Sequence, residues 1–192
     1  MEYHLQTPLK DEGIKKLNAG DVVYISGEIL TARDEAHARI LDMKEKGEKL
    51  PFSLAGAVIY HCGPLMRQTE RDWKVVSAGP TTSGRMSKMT PSLLKAYEVW
   101  AIIGKGGMKG ITSVFENKSV YLAYTGGCAA LAAELIKEVK TVHWLDLGMP
   151  EAVWVLRVEE FGPLIVGIDT KGKDIFAEVR ERAEKVLKKL QG

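Results

Sequence analysis

Apolar residues in this chain fall into short runs separated by glycine, proline and charged stretches, and each run favours one element. Val22 to Ile29 reads as a strand. Arg33-Asp34-Glu35-Ala36-His37 then opens a helix running to about Lys46 and stopped near Gly47. Asp34 and Glu35 lie in its first turn, where the helix dipole favours negative charge. Ala57 to Tyr60 is a short buried strand ending in His61-Cys62-Gly63-Pro64. The β-rich run Trp73-Lys74-Val75-Val76-Ser77-Ala78 breaks into a loop at Gly79-Pro80. Thr90-Pro91 offers a helix N-cap and a pre-set first helical residue, which predicts a helix over 91–98. Val99 to Ile103 is the next strand, Ser119 to Tyr124 the one after, and an Ala/Leu-rich helix over 128–138 follows directly.

Strands alternating with helical segments indicate βαβ units and a parallel sheet. Residues 142–168 differ. Val153 to Val158 and Leu164 to Ile168, split by Phe161-Gly162-Pro163, suit antiparallel strands in a second sheet or an added edge. The chain ends in a charged helix over 174–190 with an apolar stripe of Ile175, Val179, Ala183, Val186 and Leu190. Its i,i+4 pairs, Glu178–Arg182, Glu181–Lys185 and Glu184–Lys188, each add only ~0.3–0.5 kcal/mol, so packing must hold it down. With no internal repeat or linker, residues 1–192 are expected to form a single domain.

Composition narrows the function classes. Hydrophobic residues make up 45% and charged residues 27% of 192, ordinary for a globular protein. The 27 Lys+Arg against 25 Asp+Glu give a net charge of +2, which argues against a nucleic-acid or membrane surface as the main partner. Apolar runs stay far below the ~20 residues of a membrane span, and the Met-Glu-Tyr-His-Leu start lacks the pattern of a signal peptide. A cytoplasmic location is therefore expected. Two cysteines, Cys62 and Cys128, stand far apart with no Cys-x-x-Cys pair. An iron–sulfur cluster usually takes about four thiolates, so this chain cannot hold a conventional one alone.

Candidate chemistry gathers after the strands. Gly79-Pro80-Thr81-Thr82-Ser83-Gly84-Arg85-Met86 holds three hydroxyls and a guanidinium on a glycine-bracketed loop. Arg33 follows the first strand, Lys105 follows Val99 to Gly104, and Thr125-Gly126-Gly127 precedes a helix. In open α/β sheets small anions bind outside the carboxyl ends of the strands. Arginine offers a planar fork for carboxylates and lysine a compact charge, so cations and hydroxyls on one edge suit a small di-anion. From the residues alone these are equally surface charges and turn chemistry, and the Gly104-Lys105-Gly106-Gly107 run fails the phosphate-loop pattern. Asp34 and His37 at i,i+3 read as a helix-cap carboxylate beside a surface histidine, Cys62 and Cys128 as small hydrophobes, and the four tryptophans as core. His61 beside Cys62 supplies two metal ligands without a third, so no metal site is assigned.

The same loops resemble the beta subunit of class I, iron–sulfur-dependent fumarate hydratase, a family that includes L-tartrate dehydratase. The resemblance covers almost the whole chain: Gly20-Asp21, Thr31-Ala32-Arg33-Asp34-Glu35-Ala36-His37, Gly79 to Met86, Ile103-Gly104-Lys105-Gly106, Thr125-Gly126-Gly127, and Leu147-Gly148-Met149 with Glu151-Ala152. It implies a swivelling β/β/α domain with a mostly parallel central sheet and a smaller antiparallel sheet. It implies a hydro-lyase that interconverts fumarate and S-malate in the tricarboxylic acid cycle, or dehydrates L-tartrate. The 4Fe-4S cluster would be ligated by a separate alpha subunit, making this chain one part of a hetero-oligomer and inactive alone. Matched residue by residue, Thr81 would be the catalytic base, and Arg33, Thr82, Arg85 and Lys105 would bind substrate. No role carries onto His61, Cys62 or Cys128. From another class, a non-catalytic dicarboxylate- or phosphate-binding module fits the same cations.

Overall fold

The computed structural model describes residues 1–70 and 72–191. One mixed sheet organises them. Strands β1 (Glu2–Gln6), β2 (Val22–Thr31), β3 (Ala57–Tyr60), β6 (Val99–Gly104) and β7 (Val120–Ala123) pair in parallel in that order. Strand β9 (Val153–Ile168) pairs antiparallel with β7 on one side and with β2 on the other. That double pairing closes β2, β3, β6, β7 and β9 into a barrel, with β8 (Ile136–His143) added antiparallel on β9. The antiparallel strands expected over 142–168 therefore belong to the main sheet and seal it. A separate two-stranded antiparallel sheet is built from β4 (Leu65–Gln68) and β5 (Trp73–Ser77).

Burial on two faces explains the continuous apolar runs of β3, β6 and β7. Val58, Tyr60, Ala101, Ile103, Val120 and Leu122 point into one core cluster with Val23, Ile25, Trp154 and Phe161. Their neighbours Ile59, Ile102 and Tyr121 belong to a second cluster under α2 (Asp34–Glu45) and α3 (Thr90–Ala96), with Ala36, Ile40, Leu93 and Leu94. Alternation along the strands thus divides the barrel interior from the helix-covered exterior.

Several elements depart from the sequence pattern. The run at 73–77 is not part of the parallel row; it pairs only with β4. The helix expected over 128–138 is α5 (Ala129–Leu135), and the β-branched stretch beyond it turns into β8. Phe161-Gly162-Pro163 does not split two strands. β9 runs through it and changes neighbours there, from β8 up to Val158 to β7 from Ile165, so the missing Pro163 N–H breaks no ladder at that point. Thr90 does not cap α3, since its hydroxyl donates back to the Met86 carbonyl at 2.9 Å. Two short helices, α1 (Asp11–Lys15) and α4 (Thr112–Phe115), complete the body.

The last helix, α6 (Ile175–Gln191), starts at Asp174, whose Oδ1 accepts from the Phe176 and Ala177 amides at 2.9 and 3.1 Å. Phe176 packs on Tyr121, but every residue from Glu181 to Gln191 is exposed. None of the described helices is long and apolar enough to cross a membrane.

Candidate active site

At one end of the barrel β3 and β6 separate, and a foreign segment lies between them. The two strands pair in parallel up to Tyr60↔Ile103. Beyond that pair, Thr81 N–H donates to the His61 carbonyl at 2.6 Å, Lys105 N–H to the Thr81 carbonyl at 3.2 Å, and Ser83 N–H to the Lys105 carbonyl at 3.0 Å. Thr82 bridges Lys105 in parallel, and Pro80 bridges Cys62 in antiparallel sense. The loop therefore behaves as an inserted strand between His61-Cys62 and Lys105. It comes from the small sheet and is stitched into the barrel end by main-chain bonds, which places Thr81, Thr82 and Lys105 together.

Arg33 and Arg85 meet at the same end through one carboxylate. Arg33 is the residue before α2, where the chain leaves β2. Its Nε lies 2.8 Å from Glu151 Oε1 and 3.2 Å from Asp34 Oδ2. Arg85, on the 3-10 turn Ser83–Met86, sets Nη2 2.9 Å from that same Asp34 Oδ2. Glu151 Oε2 also accepts from the Glu35 amide at 3.0 Å, which fixes the carboxylate to the start of α2. Arg33 also lies across Gly63, where a Cβ would sit 2.7 Å from Nη1. The Arg33 side chain is 19% exposed and that of Arg85 51%, so one guanidinium is sheltered and the other stands at the open surface.

Two imidazoles lie beneath these loops. His37 is fully buried, not the surface residue its helix position predicts; its Nδ1 donates to the Arg33 carbonyl at 3.0 Å. His61, equally buried, contacts Ser83 Oγ through Nδ1 at 2.9 Å, and the two rings meet edge to face with centroids 5.1 Å apart. Burial pushes His37 down to about 4 and His61 well below the usual histidine range, so both are neutral at pH 7. Neither Nε2 has a hydrogen-bond partner. Cys62 sits in the barrel core, where burial pushes its thiol up, while Cys128 Sγ donates to the Thr125 carbonyl at 2.7 Å.

Arg33, Thr81, Thr82, Arg85 and Lys105 thus converge on one end of the barrel. Thr125-Gly126-Gly127 joins through Gly126, where a Cβ would lie 3.6 Å from Lys105 Cδ. Asp34 is not the helix cap its position predicts but the bridge between Arg33 and Arg85, and that role, like the reach of Glu151 to Arg33, is set by the fold rather than by local pattern. A concavity of about 560 Å³ lies elsewhere, lined by Gln6, Pro8, Gly27, Ser53 and Arg157 among others, and by none of the five converging residues. Among the described residues no three His, Cys, Asp or Glu side chains gather as metal ligands, and the buried Cys62 thiol is no thiolate donor. The chain's own side chains do not fit an iron–sulfur cluster.

Barrel, inserted threonine loop and paired arginines coincide with a family assignment. Residues 1–179 match the model of the Fumarase C-terminus family, and the chain belongs to that family, which takes in class I fumarate hydratase and tartrate dehydratase beta subunits. It is 49% identical over 195 residues, all of both chains, to a Methanocaldococcus jannaschii protein provisionally named L(+)-tartrate dehydratase subunit beta. It is 42% identical to the L(+)-tartrate dehydratase subunit beta of Escherichia coli K12, over 93% of this chain and 88% of that one. A Geobacillus stearothermophilus protein, provisionally named class I fumarate hydratase, is 39% identical over 92% of this chain and 34% of its own length.

Proposed function

We propose that this chain is the beta subunit of a class I hydro-lyase that reversibly hydrates fumarate to S-malate, completed by an alpha subunit that carries a 4Fe-4S cluster. The observation that carries the reading is the inserted Thr81–Ser83 segment beside Lys105, at the barrel end where Arg33 and Arg85 share Asp34. Residues 1–192 act as a single swivelling domain in the cytoplasm, closing this open face onto the partner.

Arg33, Arg85 and Lys105 bind the carboxylate of the dicarboxylate that the alpha subunit leaves free, with Thr82 as a further contact. Arginine pairs with a carboxylate in bidentate fashion, which fixes its plane as well as its position. Thr81 takes the proton from the carbon that loses it on dehydration and returns it on hydration. A threonine hydroxyl is a weak base at neutral pH, so its alkoxide needs the nearby cations in a site closed to water. A cluster held by the partner would supply Lewis-acid chemistry at the hydroxyl-bearing carbon.

A second reading has its own support: the relatives that align over most of their own length are named for L(+)-tartrate. S-malate and L-tartrate are both 2-hydroxy dicarboxylates, and the residues described serve either. The test is to recover the tagged chain anaerobically from its host with its partner, then assay fumarate and L-tartrate side by side. Fumarate hydration that disappears when the partner is stripped supports the first reading. Turnover of L-tartrate alone moves the assignment to the second, and a chain with neither partner nor iron leaves only an anion-binding module.

A further inference from the structure

Thr81 and Lys105 lie on loops, yet the proposed chemistry needs them held in register, and a displacement of about 1 Å can cost ~10²-fold in rate. Main-chain bonds supply part of that restraint. The side chains below supply a second layer that the reading above leaves unused. His61 holds both ends of the Thr81–Ser83 segment: its carbonyl accepts from Thr81 N–H at 2.6 Å, and its Nδ1 meets Ser83 Oγ at 2.9 Å. Ser83 Oγ is hydrogen-bonded to Tyr121 Oη at 3.1 Å, and Tyr121 O–H donates to the carbonyl of Gly106, next to Lys105, at 2.6 Å.

We propose that His61, Ser83 and Tyr121 are positioning residues, a buried hydrogen-bonded chain that fixes Thr81 relative to Lys105. The inference rests on the assignment of those two residues to the reaction. All three side chains are fully buried, so none can touch a substrate at the open face. Space for the chain is reserved by Gly104, where a Cβ would fall 1.9 Å from Ser83 Oγ and 3.3 Å from His61 Nδ1. Tyr121 reaches the chain from β7, a barrel strand, so the loop pair is referenced to the rigid body rather than to another loop.

The test uses the assembled enzyme with Ser83→Ala, Tyr121→Phe, the double variant and Thr81→Ala, each assayed for kcat, KM and melting temperature. Ser83→Ala and Tyr121→Phe should each lower kcat at least tenfold with KM within about threefold. The double variant should lose little more than the worse single, because a chain acts as a unit. Full turnover in Ser83→Ala overturns the inference, as do losses that are additive or that merely follow the melting temperature. Thr81→Ala separates the two levels: if it alone keeps full turnover, the assignment of Thr81 fails; if it is inactive while Ser83→Ala is normal, only the positioning chain fails.

Discussion

Arg85 Nη2 lies 2.9 Å from Asp34 Oδ2, so the more exposed guanidinium of the site is tethered to the first turn of α2 by one carboxylate. Partly exposed pairs contribute about 1 kcal/mol or less to stability, and this one acts mainly on geometry. Asp34→Ala should raise KM for the dicarboxylate roughly three- to tenfold with a smaller change in kcat. Steady-state kinetics of the assembled enzyme checks this; an unchanged KM would show that Arg85 finds its place without the tether.

The two proposed roles at the threonine loop separate kinetically. Thr81→Ala should reduce kcat at least 10²-fold while KM stays within about threefold, the loss expected of a proton-transfer group. Arg85→Ala should raise KM and lower kcat together. Equal behaviour of the two variants would contradict the division of labour.

Acid should weaken the fold through its buried imidazoles. His37 sits at about 4 because burial disfavours its charged form, against an ordinary histidine value of 6.5. Between those values the unfolded chain binds a proton that the folded one refuses, so stability is complete above about pH 6.5 and falls as pH drops toward 4. The slope is about 1.4 kcal/mol per pH unit for one such group, and His61, shifted the same way, adds to it. Denaturant unfolding from pH 7.5 to 4.5 should show this decline; a flat profile would mean that both rings are charged or exposed.

Gly63 permits the approach of Arg33. A Cβ there would lie 2.7 Å from Arg33 Nη1 and 2.9 Å from the Pro150 carbonyl. Gly63→Ala should therefore displace the guanidinium, raising KM severalfold, at a stability cost of about 1–3 kcal/mol from overpacking. Wild-type KM in a folded Gly63→Ala enzyme would place Arg33 outside the binding face.

Among the strands legible in the sequence, those buried on both faces stand out most plainly. β3, β6 and β7 announce themselves as continuous apolar runs because barrel and helices cover them. β1 and β8 do not: their burial patterns are mostly exposed and half-exposed, as edge strands are, so no apolar period marks them. Closure of the barrel was equally silent, since pairing one strand with both β2 and β7 is a property of curvature and register rather than of composition. At the site, residue types and loop positions picked out Arg33, Thr81, Thr82, Arg85 and Lys105, which do converge. The joint between the loop and the barrel was hidden because main-chain hydrogen bonds leave no side-chain signature. His37 misled in the same way, its polarity masking a position that the fold packs completely.

The anchors that fix Thr81 to Ser83 in the barrel are, for the most part, peptide groups: the His61 carbonyl and both main-chain groups of Lys105. Every amino acid carries those groups. Thr82 faces outward between two anchored neighbours, so its side chain can be exchanged while the scaffold beneath keeps its shape. Substitution at that position therefore leaves the main-chain frame, and the residues it brings together, in place.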